Sequence, residues 1–451
     1  MPNYKIARLS GVHYPTVLAS LVDTYPEFLT ASYAQQQEWL FNSRILYSNS
    51  FSNSLQKLGN EAHELIWDLK PMQTRWADEN GIAIDHDTWM IDILLAQLQE
   101  IQPDIIYLQG TELCIPGRFP SFGPSTSLAT IIKDAMDSVR FIAMFSGYPS
   151  DISRLEDVDI VFSCTPAIVG HYKQLGISTI LCYHGFDESV INSRPTADAA
   201  ADYDFTFLGS TQAPSARYWM LSEFLMRTPI RLWVDDSDEL NADGSFSLQW
   251  KNIKVVVRSS VRRGLISLFS KLDVSTLQMM SNGTHMPSSF KKIANEIVRS
   301  LDDPMIKNRE TSNLIRKRLP RKTLRQIYPD RCESPVVGNK YFDVLARARV
   351  TFNKHTDKNR AVVGNLRMFE ATGVGTCLLT DTGWNMKDLY EPDTEVVTYT
   401  SVEEAIEKAS YLLENESERA SIASAGQKKT LSSHTIFHRC QLIDEVFQSK
   451  L

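Results

Sequence analysis

The sequence predicts an α/β protein made of two doubly wound domains facing a cleft, with a mainly helical, basic insertion in the second. Three observations carry this. Short apolar runs alternate with helix-like spacing along the chain, the pattern of βα units stacked on parallel sheets. The runs form two series, separated by residues 188–204, a stretch poor in large apolar side chains that contains Pro195. The length of 451 residues also exceeds one ordinary core and points to two or three domains.

In chain order, the first domain (1–190) holds strands at "YKIARLS", "DIIYLQG", "VRFIAMFS", "DIVFSC" and "STILCY". Each is a short run dominated by Ile, Val, Leu, Phe or Tyr, as expected of strands covered on both faces. Residues 191–204 are the linker. The second domain (205–432) begins at "YDFTFLGS" and continues with "IRLWVDD", "ARVTFN", "TCLLTD" and "EVVTY". Residues 236–335 interrupt this series. They are far too many for a loop, and "SSVRRGLISLFSKL" and "FKKIANEIVRSL" have helical apolar spacing. Residues 433–451 read as a C-terminal helix that packs back on the first domain. Its "HTIFH" places His434 and His438 one helical turn apart but lacks the glutamate of a zinc protease motif, so it reads as a packed helix.

Composition excludes several classes. Hydrophobic residues make up 43% and charged residues 22%, as in a globular protein rather than a disordered or fibrous one. No apolar stretch reaches the roughly 20 residues a spanning helix needs, and "MPNYKIARLS" is too short and polar for a signal peptide. A cytoplasmic location is expected. Cys114, Cys164, Cys182, Cys332, Cys377 and Cys440 form no CxxC pair, which favours reduced, structural thiols. The net charge of −7 is uneven: residues 251–331 carry 18 Lys and Arg against 6 Asp and Glu, leaving −19 on the remainder. Either this is an ordinary solvated face, or "RRGLISLFSKL" and "RKRLPRKTLRQ" meet an anionic membrane surface or a phosphate-bearing glycolipid at the inner face of the membrane. Nucleic acid is not expected as a partner, because the remaining −19 would be repelled by its backbone.

Open parallel sheets bind ligands beyond the carboxyl ends of their strands. In "GNLRMFEATGVGTCLLTD" (364–381), Asn365 is a good N-cap, Leu366 to Thr372 spans two helical turns, and Gly373 or Gly375 ends the helix. Leu366 and Phe369 share one face; Arg367 and Glu370 share the adjacent one. The helix start offers amide N–H groups and a positive dipole end to a phosphate, with Arg367 adding charge. Glu370 can accept hydrogen bonds from sugar hydroxyls. The plainer alternative is that Arg367 and Glu370 pair with each other on a solvated surface.

The segment 338–440, with "GNKYFDVLARARVTFNKH", "GNLRMFEATGVGTCLLTD" and "VEEAIEKASYLLENESERASIASAGQKKTLSSHTIFHR", resembles the C-terminal half of the spore-maturation (CgeB-type) glycosyltransferases. "YDFTFLGS" with Arg217 resembles the strand that opens their nucleotide-binding domain. "DIVFSCTPAIVGHYKQLG" and "LCYHGFDESVI" resemble the end of their acceptor domain. The resemblance implies the glycosyltransferase-B fold of two Rossmann-like domains. It also implies transfer of a sugar from a nucleotide diphosphate sugar to a saccharide, glycolipid or protein acceptor, with retention, without metal, and with no cofactor beyond the donor. By position, Glu370 is implied to hold the nucleotide ribose. Asn365 and Leu366 would lend amides to the pyrophosphate, and Arg367 would neutralise it. His355, the Gly209–Ser210 loop and Arg217 would approach the donor from neighbouring strand ends, and His13 would lie beneath the reacting sugar. The first glutamate of the family's pair falls at Val362 and is missing.

Three alternatives remain open at this stage. A protein that kept the fold could bind sugar or nucleotide without catalysis, for which the missing glutamate speaks. An epimerase on the same fold would need no acceptor. A metal-dependent glycosyltransferase-A enzyme would need an Asp-x-Asp: Asp85/Asp87, Asp157/Asp159 and Asp236/Asp238 have the spacing, and only the last follows a strand.

Overall fold

The computed structural model describes residues 3–12, 16–45, 48–110, 119–123, 126–148, 154–192, 201–211, 216–235, 323–355 and 362–451. The described residues form two six-stranded sheets in which every strand pair is parallel.

The first sheet holds β1 (Lys5–Ser10), β2 (Glu61–Ile66), β3 (Ile105–Gln109), β4 (Phe141–Phe145), β5 (Ile160–Ser163) and β6 (Thr179–Leu181), in the order β2-β1-β3-β4-β5-β6. The second holds β7 (Tyr203–Ser210), β8 (Arg231–Asp235), β9 (Cys332–Glu333), β10 (Ala348–Asn353), β11 (Cys377–Asp381) and β12 (Val397–Tyr399), ordered β12-β11-β10-β7-β8-β9. Both are doubly wound. Strand order reverses beside β1 in the first sheet and between β7 and β10 in the second, and such a reversal leaves a crevice at the carboxyl ends.

Each sheet is buried on both faces, as the apolar runs predict. In β7, Phe205 and Phe207 enter one core with Phe224, Phe352 and Tyr399, while Leu208 enters the opposite core with Phe369, Met368 and Tyr390. Two strands lack an apolar run and are found only by the structure. β2, "EAHELI", is an edge strand whose Glu64 is buried; burial raises its carboxyl pKa, while Arg8 on β1, at 3.3 Å, and the Ser52 amide, at 3.2 Å, offset the cost. β9 is only two residues long.

The Ile436–Gln448 helix packs on the first domain beside the Ser50–Lys57 helix. Phe447 enters a cluster with Tyr4, Tyr107, Phe141 and Phe162. Asp444 accepts from Tyr4 Oη at 2.6 Å and from Asn60 Nδ2 at 2.8 Å. His438 belongs to a capping box with Thr435, and His434 Nε2 donates to the Leu389 carbonyl at 2.8 Å. Both histidines of "HTIFH" are thus structural, and burial lowers the His434 pKa to about 4. The five described cysteines are buried free thiols.

Much of the predicted basic insertion, and Asp236 and Asp238 with it, lies outside the described residues. Two of its cations are described, and both are committed internally. Arg331 donates to the carbonyls of Leu225, Thr228 and Ile230, closing the end of the Ala216–Arg227 helix, and Arg325 donates to the Val234 carbonyl at 2.6 Å. The other Asp-x-Asp pairs are also accounted for. Asp159 accepts from the Ile142 amide and pairs with Lys133, Asp157 accepts from Thr130, and Asp85 accepts from the Asp87 amide.

Candidate functional site

The crevice between β7 and β10 gathers most of the residues singled out in the sequence. The Leu366–Gly373 helix starts at this edge, with Asn365 in extended conformation at its N-cap. Asn365 does not cap with its side chain. It exchanges two amide hydrogen bonds with Asn353 at the end of β10, at 2.9 and 3.0 Å, so the helix is tied to the strand instead.

His355 supplies the cap from outside the helix. Its Nε2 accepts from the backbone N–H of Gly364 at 2.9 Å and of Asn365 at 3.2 Å. Its Nδ1 lies 2.7 Å from Asp381 Oδ1 at the end of β11, and its backbone N–H also donates to that carboxylate. Two N–H groups facing Nε2 require a lone pair there, which places the ring proton on Nδ1. Burial opposes ionisation of Asp381, but the His355 imidazole, then Lys354 and the His355 amide, outweigh it and hold the carboxyl at about 2. His355 therefore orders the start of the helix, and the Asn365 amide already has an acceptor. The Leu366 and Arg367 amides belong to the first turn, where the helix provides no carbonyl four residues back.

Arg217 is buried and spans the crevice floor. It donates to the Ser210 carbonyl at 3.1 Å and the Lys354 carbonyl at 2.5 Å, tying the exits of β7 and β10 together. The Arg367 guanidinium lies over the same Phe207 ring as that of Arg217, 4.9 Å from the centroid, and it hydrogen-bonds Tyr341. Gly209, at φ +139°, leaves the space it occupies; a side chain there would collide with Arg367 Nη2.

Glu370 does not pair with Arg367 in a simple surface bridge. Its Oε2 accepts from Tyr341 Oη at 2.7 Å, on the Asn339–Ala346 helix. Burial raises the Glu370 pKa, against the opposing effects of the Tyr341 hydrogen bond and the Arg367 charge; burial, then the Glu370 charge, raises that of Tyr341 well above its ordinary range. Of the expected apolar pair, Phe369 is fully buried while Leu366, at the first helical position, is 44% exposed. Gly373 is the last helical residue, where the Phe186 ring leaves no room for a side chain, and Gly375, at φ +85°, follows the helix end.

The first domain reaches this helix through "YHGFD" (183–187). Tyr183 Oη accepts from Asn385 Nδ2 at 3.2 Å and its ring lies against Gly364; Phe186 lies against Gly373. Between them His184 faces Cys164 and feels the charge of Glu370. Burial lowers its pKa, but these two neighbours more than compensate, while His184 in turn lowers that of Cys164 against burial. Tyr341, Asp381 and His184 were not singled out as site residues by sequence reasoning. The aspartate at the end of an apolar strand was the one visible signal. Val362, at the position of the pair's first glutamate, is buried. His13 lies outside the described residues. Among the described residues, no three His, Cys, Asp or Glu side chains converge as metal ligands, and no helix is long and apolar enough to cross a membrane.

Residues 315–445 match the family described as "Glycosyl transferase-like". No curated protein matches the chain. Among solved structures it is similar to sucrose-phosphate synthase from Thermosynechococcus elongatus, at 10% identity over 99% of both chains with a TM-score of 0.50. It is also similar to HepE of Anabaena in complex with UDP and glucose, at 11% identity over 99% of this chain and 100% of that one, TM-score 0.48. A third similarity is to the N-terminal domain of trehalose-6-phosphate phosphatase from Candida albicans, at 11% identity over 100% and 97% of the two chains, TM-score 0.47. The two parallel sheets with flanking helices are the glycosyltransferase-B fold.

Proposed function

We propose that the protein is a CgeB-type glycosyltransferase that moves a sugar from a nucleotide diphosphate sugar to a saccharide, glycolipid or protein acceptor, with retention and without a metal ion. One observation carries the reading: the start of the Leu366–Gly373 helix, the Arg367 guanidinium, and Glu370 braced by Tyr341 share one helix at the strand-order reversal. That helix lies within the glycosyl transferase-like segment.

The chemistry suits these groups. The sugar C1–O bond to the diphosphate breaks through an oxocarbenium-like state while charge grows on the departing phosphate, so positive groups at the leaving group matter most. Arg367 and the Leu366 and Arg367 amides meet that charge. Glu370 accepts from the ribose hydroxyls. The acceptor hydroxyl oxygen bonds C1, and its proton passes to the leaving phosphate oxygen. His355 and Arg217 act here as positioning residues: one caps the helix start and the other ties the loops together. We assign His13 to the loop beneath the reacting sugar.

The test is release of nucleoside diphosphate from a panel of UDP-, GDP-, ADP- and dTDP-sugars, with and without saccharide acceptors. Turnover of one donor that Arg367→Ala abolishes supports the reading. Nucleotide binding without turnover would favour a sugar-binding protein, and interconversion of two nucleotide sugars without acceptor would favour an epimerase.

A further inference from the structure

The Asn339–Ala346 helix starts where a helix of the opposite domain stops. The Tyr33–Ser43 helix ends at Arg44, whose φ of 52° is left-handed and turns the last carbonyls outward. One of these, Asn42 O, accepts from Asn339 Nδ2 at 2.9 Å, and Arg44 Nη1 donates to Asn339 Oδ1 at 3.0 Å. Gly338, at φ +61°, passes so close to the Ser43 carbonyl that a side chain there would collide. Arg44 is held in turn by Ser189, through Oγ at 3.0 Å and the carbonyl at 3.3 Å, and lies 3.8 Å from Asp187. No side chain caps the start of the Asn339–Ala346 helix from within. Two residues past Asn339, Tyr341 reaches Glu370.

We propose that Tyr341 is a positioning residue for Glu370 in donor binding, and that the Ser43–Arg44 turn of the opposite domain sets its helix, so that the ribose contact forms in full only when the two domains are docked. The inference rests on the reading of Glu370 as the ribose acceptor. A glutamate has three rotatable bonds, and a carboxylate that must meet two ribose hydroxyls binds better when its rotamer is already chosen. The Tyr341 hydroxyl makes that choice by occupying Oε2. Arg44 and Asn42 then fix where the hydroxyl stands.

Calorimetric titration tests it with UDP, GDP, ADP, CDP and dTDP, followed by the 2′,3′-dideoxy form of the tightest ribonucleotide and by inorganic pyrophosphate. Tyr341→Phe and Arg44→Ala are each expected to weaken the ribonucleotide roughly five- to tenfold, the scale of one displaced hydrogen bond, and to weaken the dideoxy form and pyrophosphate clearly less, the Tyr341 hydroxyl also being a hydrogen-bond partner of Arg367. Tyr341→Phe removes one oxygen, and thermal unfolding verifies that the variant is folded. Equal weakening of all three ligands means a merely structural tyrosine and overturns the proposal. Unchanged ribonucleotide binding in Tyr341→Phe, while Glu370→Gln weakens it, overturns the proposal but leaves the site reading standing; the same result in Arg44→Ala alone overturns the inter-domain half. If Glu370→Gln also binds normally, or the native protein binds none of the five, the reading of Glu370 fails and the inference with it.

Discussion

Replacing Asp381 with asparagine removes the charge that His355 and Lys354 face while keeping the size of the side chain. Asp381 is 6% exposed, with Lys354 Nζ at 3.9 Å and His355 Nδ1 at 2.7 Å. Its carboxyl is lowered from 3.8 to about 2. At 1.36 kcal/mol per pH unit, that depression corresponds to about 2 kcal/mol of folding stability at neutral pH. The sign follows from the direction. A carboxyl depressed in the folded state contributes its stability in full above 3.8 and loses it as pH falls toward about 2. Asp381→Asn should therefore unfold at lower urea concentration at pH 7, by about 2 kcal/mol, with an unchanged slope. The difference from the native protein should shrink between pH 4 and pH 3. The variant should also bind nucleoside diphosphates more weakly, because His355 exchanges a charged acceptor for an amide that can turn either its oxygen or its N–H toward Nδ1, so the ring proton is held less firmly and the helix start loosens. A double-mutant cycle with His355→Gln isolates the pair, and a coupling of at least about 1 kcal/mol is expected. Additive effects, or an asparagine variant within 0.5 kcal/mol of native at pH 7, which is the ordinary scatter of neutral substitutions, would refute the relay from Asp381 through His355 to the amides.

Arg367→Ala should weaken nucleoside diphosphate binding by about 1.5–3 kcal/mol, the worth of a hydrogen bond to a charged group; calorimetric affinity equal to native would remove Arg367 from the phosphate site. Gly373→Ala should destabilise by about 1–3 kcal/mol, because the new methyl meets the Phe186 ring; an unchanged urea midpoint would mean the "YHGFD" segment moves aside at no cost. Sugar transfer should survive EDTA, whereas full loss restored by Mn²⁺ would favour the Asp236/Asp238 alternative. The chain should co-sediment with anionic but not neutral liposomes at low salt, through the cations of 251–331 other than Arg325 and Arg331, and release at higher salt; equal, negligible binding to both leaves only the solvated face.

The fold class is legible in the sequence, because strands buried on both faces are written as continuous apolar runs that need no knowledge of their neighbours. The sequence marked the Leu366–Gly373 helix in the same way, through local spacing around Asn365 and the flanking glycines. It did not reveal β2 or β9. The tolerance of β2 for Glu61, His63 and Glu64 depends on its edge position and on Arg8, a residue 56 positions away from Glu64. Within the site, residue types were legible and partners were not. His355 looked like a group aimed at the donor, and the strand pairing of β10 with β11 turned it toward Asp381 and the helix amides. Arg217 looked like another group approaching the donor, and the crossover order placed two loop carbonyls around it. Glu370 acquired Tyr341 from a helix 29 residues earlier, and Tyr183, His184 and Phe186 came to the site from the other domain. Local pattern records what a segment buries; only tertiary structure decides which polar groups from distant strands meet at the carboxyl edge, because strand order and domain docking set those distances.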